Sequence, residues 1–281
     1  SIKSSNAIEG IVTSDERIAA IVNQNSAPLN HNEAEIAGYR DALNEIHLGY
    51  EHIDFRESDI LHLHEILMQF TGNGIGGHYK TDDNVILEID ADGKRKVRFR
   101  PTPARETPDA MEQLTLGYLD ARNDANINQL LLIPCVILDF LCIHPFNDGN
   151  GRMSRLLTLL LLYKSGCIVG KYISLEMIIE ATKDTYYDAL QRSSQGWHEG
   201  ANDYAPFVTY YLGIVLKAYR EFESRVRLMQ DRSLSKPARI RALIDAHVGK
   251  ITKSQIMAQC PDISKITVER TLTELVKTGY L

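Results

Sequence analysis

The chain has little with which to hold a metal by itself, cross a membrane or build a large sheet. Four of its 281 residues are cysteines, Cys135, Cys142, Cys167 and Cys260, scattered without the spacing of a zinc site. Cys135 and Cys142 stand seven apart on one face of an apolar stretch, so both are expected to be buried free thiols. No apolar run reaches about 18 residues, which excludes a spanning helix and a membrane partner. No basic, apolar, small-residue leader opens the chain, and the expected compartment is the cytoplasm. Glycines gather between Gly72 and Gly77, but no Gly-Lys-Ser/Thr follows, so this is not a P-loop. His62, His64 and Glu65 look like a metal cluster only in one dimension. Alternate residues of a helix do not face one another, so a solvated or core histidine is expected. Clear strand signals occur only at Val85–Ile89 and Lys96–Phe99, flanking the turn pair Asp92-Gly93.

What is present is helical. Apolar residues recur at helical spacing over Asn32–Tyr50 and Glu57–Phe70. Leu130–Ile143 is almost continuously apolar and long enough for a buried helix. Pro145 ends it by driving His144 out of the helical region. Hydrophobic residues make up 44% of the chain, enough for a sizeable core, and the length suits one large domain plus a small one.

The segment His144-Pro145-Phe146-Asn147-Asp148-Gly149-Asn150-Gly151-Arg152-Met153-Ser154-Arg155 carries the most chemistry. It reads as helix, tight loop, helix start. A helix N-terminus presents unpaired N–H groups and favours anions. Gly149 and Gly151 let the backbone approach a ligand closely. Arg152 and Arg155, three apart, have the planar donor forks that clamp phosphate. Asp148 is out of place in an anion site unless it holds a cation such as Mg²⁺. His144, at the mouth, is a candidate proton acceptor.

These residues meet every fixed position of His-x-Phe-x-(Asp/Glu)-Gly-Asn-Gly-Arg-x-x-Arg, so the chain resembles Fic-domain proteins. The resemblance implies a mainly α fold, a Fic-type helical bundle with a small β-hairpin flap. It also implies transfer of AMP from ATP to a Ser, Thr or Tyr hydroxyl of a target protein. His144 would be the general base, Phe146 a core anchor, and Asp148 the Mg²⁺ ligand. Gly149, Asn150 and Gly151 would cradle the α- and β-phosphates. Arg152 and Arg155 would take the β- and γ-phosphates, with Met153 and Ser154 counted in the same nucleotide-binding stretch. Kinase-type relatives carry lysine at the second glycine; Gly151 therefore favours nucleotidyl transfer.

Three further segments extend the resemblance. Ser5-Asn6-Ala7-Ile8-Glu9-Gly10 is similar to the inhibitory motif (Ser/Thr)-x-x-x-Glu-(Gly/Asn), which implies that Glu9 pairs with Arg155 and holds the site off. A second role for Glu9, orienting water to remove AMP, stays open. The hairpin near 84–100 resembles the flap, with Val85, Ile86 and Leu87 registering the target by strand pairing, between flexible flanks at Thr81–Asn84 and Pro101–Pro103. Tyr186 and Tyr187 resemble the pair that flanks adenine. The asparagine that relatives often place seven residues later is Ser194 here.

From Lys236 onward the composition changes. Eight Lys/Arg stand against four Asp/Glu, a net of +4 in a chain whose total is −6. Helices are expected at Ala238–Ala246, Ser254–Gln259 and Lys265–Thr278, with Thr252 and Ser264 as caps. They resemble a winged helix-turn-helix with the third helix as reader. The expected organisation is an inhibitory segment over 1–30, a Fic domain over 31–230 and a winged-helix-like domain over 236–281. Two functions follow. One is an autoinhibited protein adenylyltransferase using ATP and Mg²⁺ on a protein target, with self-modification and homodimerisation open. The other is a nucleotide-sensing transcriptional regulator that binds DNA through its last three helices, although a strong basic stripe is missing.

Overall fold

The computed structural model describes residues 1–24, 26–89, 95–230, 235–247 and 251–281. The described residues form thirteen α-helices and one two-stranded antiparallel sheet, a mainly helical fold as expected. The chain divides into two compact units, Ser1–Leu216 and Lys217–Leu281, so the division falls inside a helix rather than at 230–236. No helix among the described residues is long and apolar enough to cross a membrane.

The first unit opens with two short helices, α1 (Ile2–Ile8) and α2 (Asp15–Gln24), followed by α3 (His31–Gly49) and α4 (Glu57–Met68). Asn30 caps α3 by accepting from Glu33 N–H. The hairpin strands are β1 (Ile86–Ile89) and β2 (Arg95–Phe99), so Val85 lies just before the strand rather than in it. Leu87 pairs with Val97, and a register shift falls between Ile86 and Leu87. The turn expected at Asp92-Gly93 lies outside the described residues.

The centre of the unit is α6 (Gln129–Ile143) followed by α7 (Asn150–Lys164). α6 buries Ile133, Val136, Ile137, Leu138, Phe140 and Leu141, and α7 buries an almost unbroken run from Arg152 to Tyr163. Helices this apolar must be covered on most sides. α5 (Thr107–Asn123) packs on α6, and α3 packs on α4 and α7. α8 (Leu175–Ala181), α9 (Lys183–Ser194) and the long α10 (Ala205–Gln230) complete the order, the last running past the boundary. α1 packs against α3 and α8, so the N-terminal segment belongs to the body of this unit. All four cysteines are free and Cys142 is buried, but Cys135 is only half-buried, because the start of that face is open, with Leu131 one turn earlier exposed.

The second unit holds α11 (Lys236–Ala246), α12 (Lys253–Gln259) and α13 (Lys265–Lys277) around Ile240, Leu243, Ile256, Cys260, Ile263 and Val268. Thr252 closes a capping box with Gln255, and Ser264 caps α13. No strand accompanies these helices among the unit's described residues, so the wing of the expected motif is not among them.

Candidate active site

His144 ends α6 with φ 53° and ψ 60°, the one non-glycine residue at positive φ among those described. The rule for residues before proline leads to an extended conformation; the left-handed one seen here also leaves the helix, and closes it by a 2.9 Å bond from His144 N–H to Phe140 O. A left-handed non-glycine residue costs on the order of 1–2 kcal/mol, so its surroundings must hold it. The ring is oriented by Nδ1, which donates to Leu141 O at 3.2 Å. That bond puts the proton on Nδ1 and the accepting lone pair on Nε2. Burial pushes the imidazole pKa down to about 4, so the ring is neutral above that value.

The loop after His144 is tied to the core at several points. Asn150 accepts from Phe146 N–H at 2.9 Å and donates to Phe146 O at 2.8 Å, so its amide closes the loop instead of reaching outward. Phe146 is fully buried and stacks on His64 with ring centroids 3.7 Å apart. His64 is thus a core histidine. Its Nδ1 accepts from Gly77 N–H, leaving Nε2–H to donate to Asp148 O, and burial lowers its pKa to about 4.

Gly149 takes φ 82° as the residue before α7, and no side chain caps that helix. The N–H groups of its first turn are therefore available to an anion. A cleft of about 930 Å³ opens here. Its walls include His144, Asp148–Arg152, Glu9, Val85–Leu87, Tyr186, Tyr187 and Ser194. Arg152 is 1% exposed. Its Nη2 lies 3.2 Å from Glu35 and 3.5 Å from Asp148, while Nη1 is buried with no hydrogen-bond partner. An unpartnered guanidinium N–H inside a cleft is costly unless a ligand satisfies it. Asp148 is half-exposed, and no trio of His, Cys, Asp or Glu side chains converges on a metal among the described residues. A cation here would be held by one carboxylate, which suits a hard ion that takes its other oxygens from phosphate and water.

Arg155 does not line the cleft, because α1 lies over it. Its Nε donates to Ser5 Oγ at 2.8 Å and Nη2 to Ser5 O at 2.8 Å. Nη1 meets Glu9 Oε1 at 2.9 Å. A Cβ on Gly151 would stand 2.2 Å from Glu9 Oε1, so a side chain at 151 would displace this carboxylate from the position seen here.

Tyr186 and Tyr187 meet edge to face at 5.2 Å. Tyr186 is buried, and Tyr187 lies under Arg98, whose Nη2 donates to Tyr187 O at 2.9 Å and so ties β2 to α9. Ser194 turns its hydroxyl to Gln191 O and offers the cleft no amide. Met153 and Ser154, expected in the nucleotide site, are not there. Both are buried and neither lines the cleft, with Ser154 Oγ donating to Gly151 O. Thr81–Asn84, expected as a flexible flank, is instead bonded into the site through Asn84. Sequence reasoning missed Lys80, Asn84, Glu35 and Arg98, none of which stands in a recognisable pattern.

Residues 54–162 match the family described as Fic/DOC. The chain contains a Fic/DOC family domain. A Fido domain-containing protein of Dictyostelium discoideum is 28% identical over 126 residues, 43% of this chain and 83% of that protein. The structure is similar to that of a Fic family protein from Desulfovibrio desulfuricans G20, with TM-score 0.62 and 24% identity, covering 99% of this chain and 78% of that one. It is also similar to a Fic domain containing signaling protein from Bacteroides thetaiotaomicron VPI-5482, with TM-score 0.60 and 21% identity over 76% of this chain and 81% of that one. At such identities the solved structures speak to the fold. Fic domains are mostly found in enzymes, generally transferases that carry out AMPylation.

Proposed function

We propose that this protein is a protein adenylyltransferase held in an autoinhibited state by Glu9. The observation that carries the reading is the buried, unpartnered Nη1 of Arg152, beside an uncapped helix start and a neutral histidine. In this reading His144 Nε2 removes the proton from a target hydroxyl. The hydroxyl oxygen bonds to the α-phosphorus of ATP, and the bond from that phosphorus to the bridging oxygen breaks, releasing pyrophosphate. The N–H groups of Asn150 and Gly151 and the Arg152 guanidinium receive the phosphates, and Arg155 joins them once Glu9 has moved. Asp148 would hold Mg²⁺, which would help to neutralise charge on the pyrophosphate leaving group. The target lies on the hairpin, whose outward Leu87–Val97 pair is 50% and 41% exposed and apolar.

The direct test is incubation of the full chain with ATP and Mg²⁺ followed by intact-mass analysis. A gain of one AMP on the protein or on a supplied protein mixture is expected; transfer of phosphate instead, or ATP bound without transfer, overturns the proposal. The pH dependence gives a second check. Because the folded pKa of His144 is depressed to about 4, the base stays neutral above that value and is lost only as pH falls through it. The kcat/KM profile should therefore show no acid limb near the ordinary histidine value of 6.5. The DNA-binding reading has less support. Lys253 is paired with Glu269 and Arg239 with Asp262, which spends part of the last segment's positive charge internally.

A further inference from the structure

The left-handed turn at His144 needs a restraint, and the residues before β1 provide one. Four successive peptide carbonyls, from Ile143 to Phe146, are all engaged by Lys80 and Asn84. Lys80 Nζ donates to Ile143 O at 3.1 Å, and Lys80 N–H to Pro145 O at 2.8 Å. Asn84 Nδ2 donates to His144 O at 3.4 Å and to Phe146 O at 3.1 Å. The two side chains are joined to each other, Lys80 Nζ to Asn84 Oδ1 at 2.9 Å. Lys80 is 3% exposed, unusual for a lysine outside an ion pair. Backbone carbonyls at a loop must find donors, and here each of the four finds one on the same short segment, Phe146 O accepting from Asn150 Nδ2 as well.

Asn84 stands two residues before β1. The strap that fixes the His144 loop is therefore the same chain segment that carries the hairpin. We infer that Lys80 and Asn84 are positioning residues, which hold His144 in its left-handed turn and tie its placement to that of the hairpin. The inference rests on the adenylyltransferase reading for its kinetic consequence, but not for its geometry. A target strand paired with the hairpin and the base that deprotonates its hydroxyl then share one support. Errors of about 1 Å between reacting groups cost about a hundredfold in rate, so a common anchor matters.

Charge supports the same arrangement. The charged groups facing His144 are Lys80 from the segment before β1, Glu9 from the end of α1 and Asp148 from the loop before α7. Lys80 is the cation among them and adds to burial in keeping the ring neutral, whereas the two carboxylates oppose it. Burial also lowers the Lys80 pKa, to about 8, with Asp83 acting against that shift.

The test compares Lys80→Met, Lys80→Arg and Asn84→Ala in a Glu9→Gly background. Lys80→Met and Asn84→Ala should lower kcat about 10- to 100-fold with the KM for ATP unchanged. Lys80→Arg, which keeps the cation and its donors, should recover most of the loss. In Lys80→Met the acid limb of the rate profile should move up from about 4, while in Lys80→Arg, which keeps the cation, it should stay there. Parent-like kcat in Lys80→Met and Asn84→Ala, or losses that appear as a raised KM for ATP, overturn the inference. Should Lys80→Met fail to fold, Asn84→Ala, which removes no charge, decides by the same kcat criterion. An NMR titration of the His144 ring in Lys80→Met needs no turnover. A raised ring pKa there supports the strap even if the parent transfers no AMP, a result that would overturn only the adenylyltransferase reading. An unchanged ring pKa overturns the strap.

Discussion

Replacing Glu9 with glycine should raise the rate of AMP transfer about 10- to 100-fold. An ion pair between exposed side chains is worth no more than about 1 kcal/mol and makes a poor lock. This pair differs. Arg155 is 4% exposed on its side chain and Glu9 33%, so the bond is largely shielded from water. A hydrogen bond to a charged partner in such a setting contributes about 1.5–3 kcal/mol, which sets the expected range. Ser5 holds the other two edges of the same guanidinium, so α1 is fastened by three bonds to one residue. Removing Glu9 frees the edge of Arg155 that faces the cleft without unseating α1. The gain should therefore appear without loss of folding, while Ser5→Ala, which leaves the carboxylate in place, should give a smaller one. Initial rates of label incorporation from ATP measure both. A Glu9→Gly protein with the parent's rate would mean that Glu9 does not restrain this site.

How much of this was legible beforehand depended on whether a residue acts through its type or through the backbone. The signature from His144 to Arg155 could be read because each position needs a particular side chain at a particular step of one loop and one helix. Glu9 could be paired with Arg155 across the chain only because Ser5 and Glu9 form a motif of their own. The same local reasoning misplaced Met153 and Ser154. Contiguity in sequence is not contiguity in space on a helix, where successive side chains point in different directions: Arg152 lines the cleft, whereas Met153 and Ser154 after it are buried away from its walls. Lys80 and Asn84 left no trace at all, since they bond to peptide carbonyls, which every residue has. Glu35 is similar: a buried carboxylate on α3 announces nothing until Arg152 is seen beside it. The apolar periodicity of α6 was plain, yet the half-exposure of Cys135 depends on which neighbours cover the rim, and period alone does not carry that.

The second large effect belongs to His144. His144→Ala should lower kcat for AMP transfer about 10²- to 10⁴-fold, the range of a general base, while ATP affinity stays at the parent level. The separation follows from where the groups sit. The anion-binding elements are the uncapped start of α7 and Arg152, and neither is held by the imidazole. The ring bonds only back to Leu141 O through Nδ1, so its loss leaves Asn150, Phe146 and His64 still bracing the loop. Alanine lacks histidine's preference for the left-handed region, but the bonds from Lys80 and Asn84 to the carbonyls of this turn remain, so the helix end should survive. The decisive comparison is calorimetric ATP binding beside single-turnover transfer, both in the Glu9→Gly background so that Arg155 is available. Loss of transfer with retained binding fits a base acting on a target hydroxyl. Equal loss of both would make His144 part of the nucleotide cradle, and retained transfer would move the proton acceptor elsewhere. The nearest other carboxylate in the cleft loop, Asp148, would then be the group to examine, since its side chain is half-exposed at the same mouth.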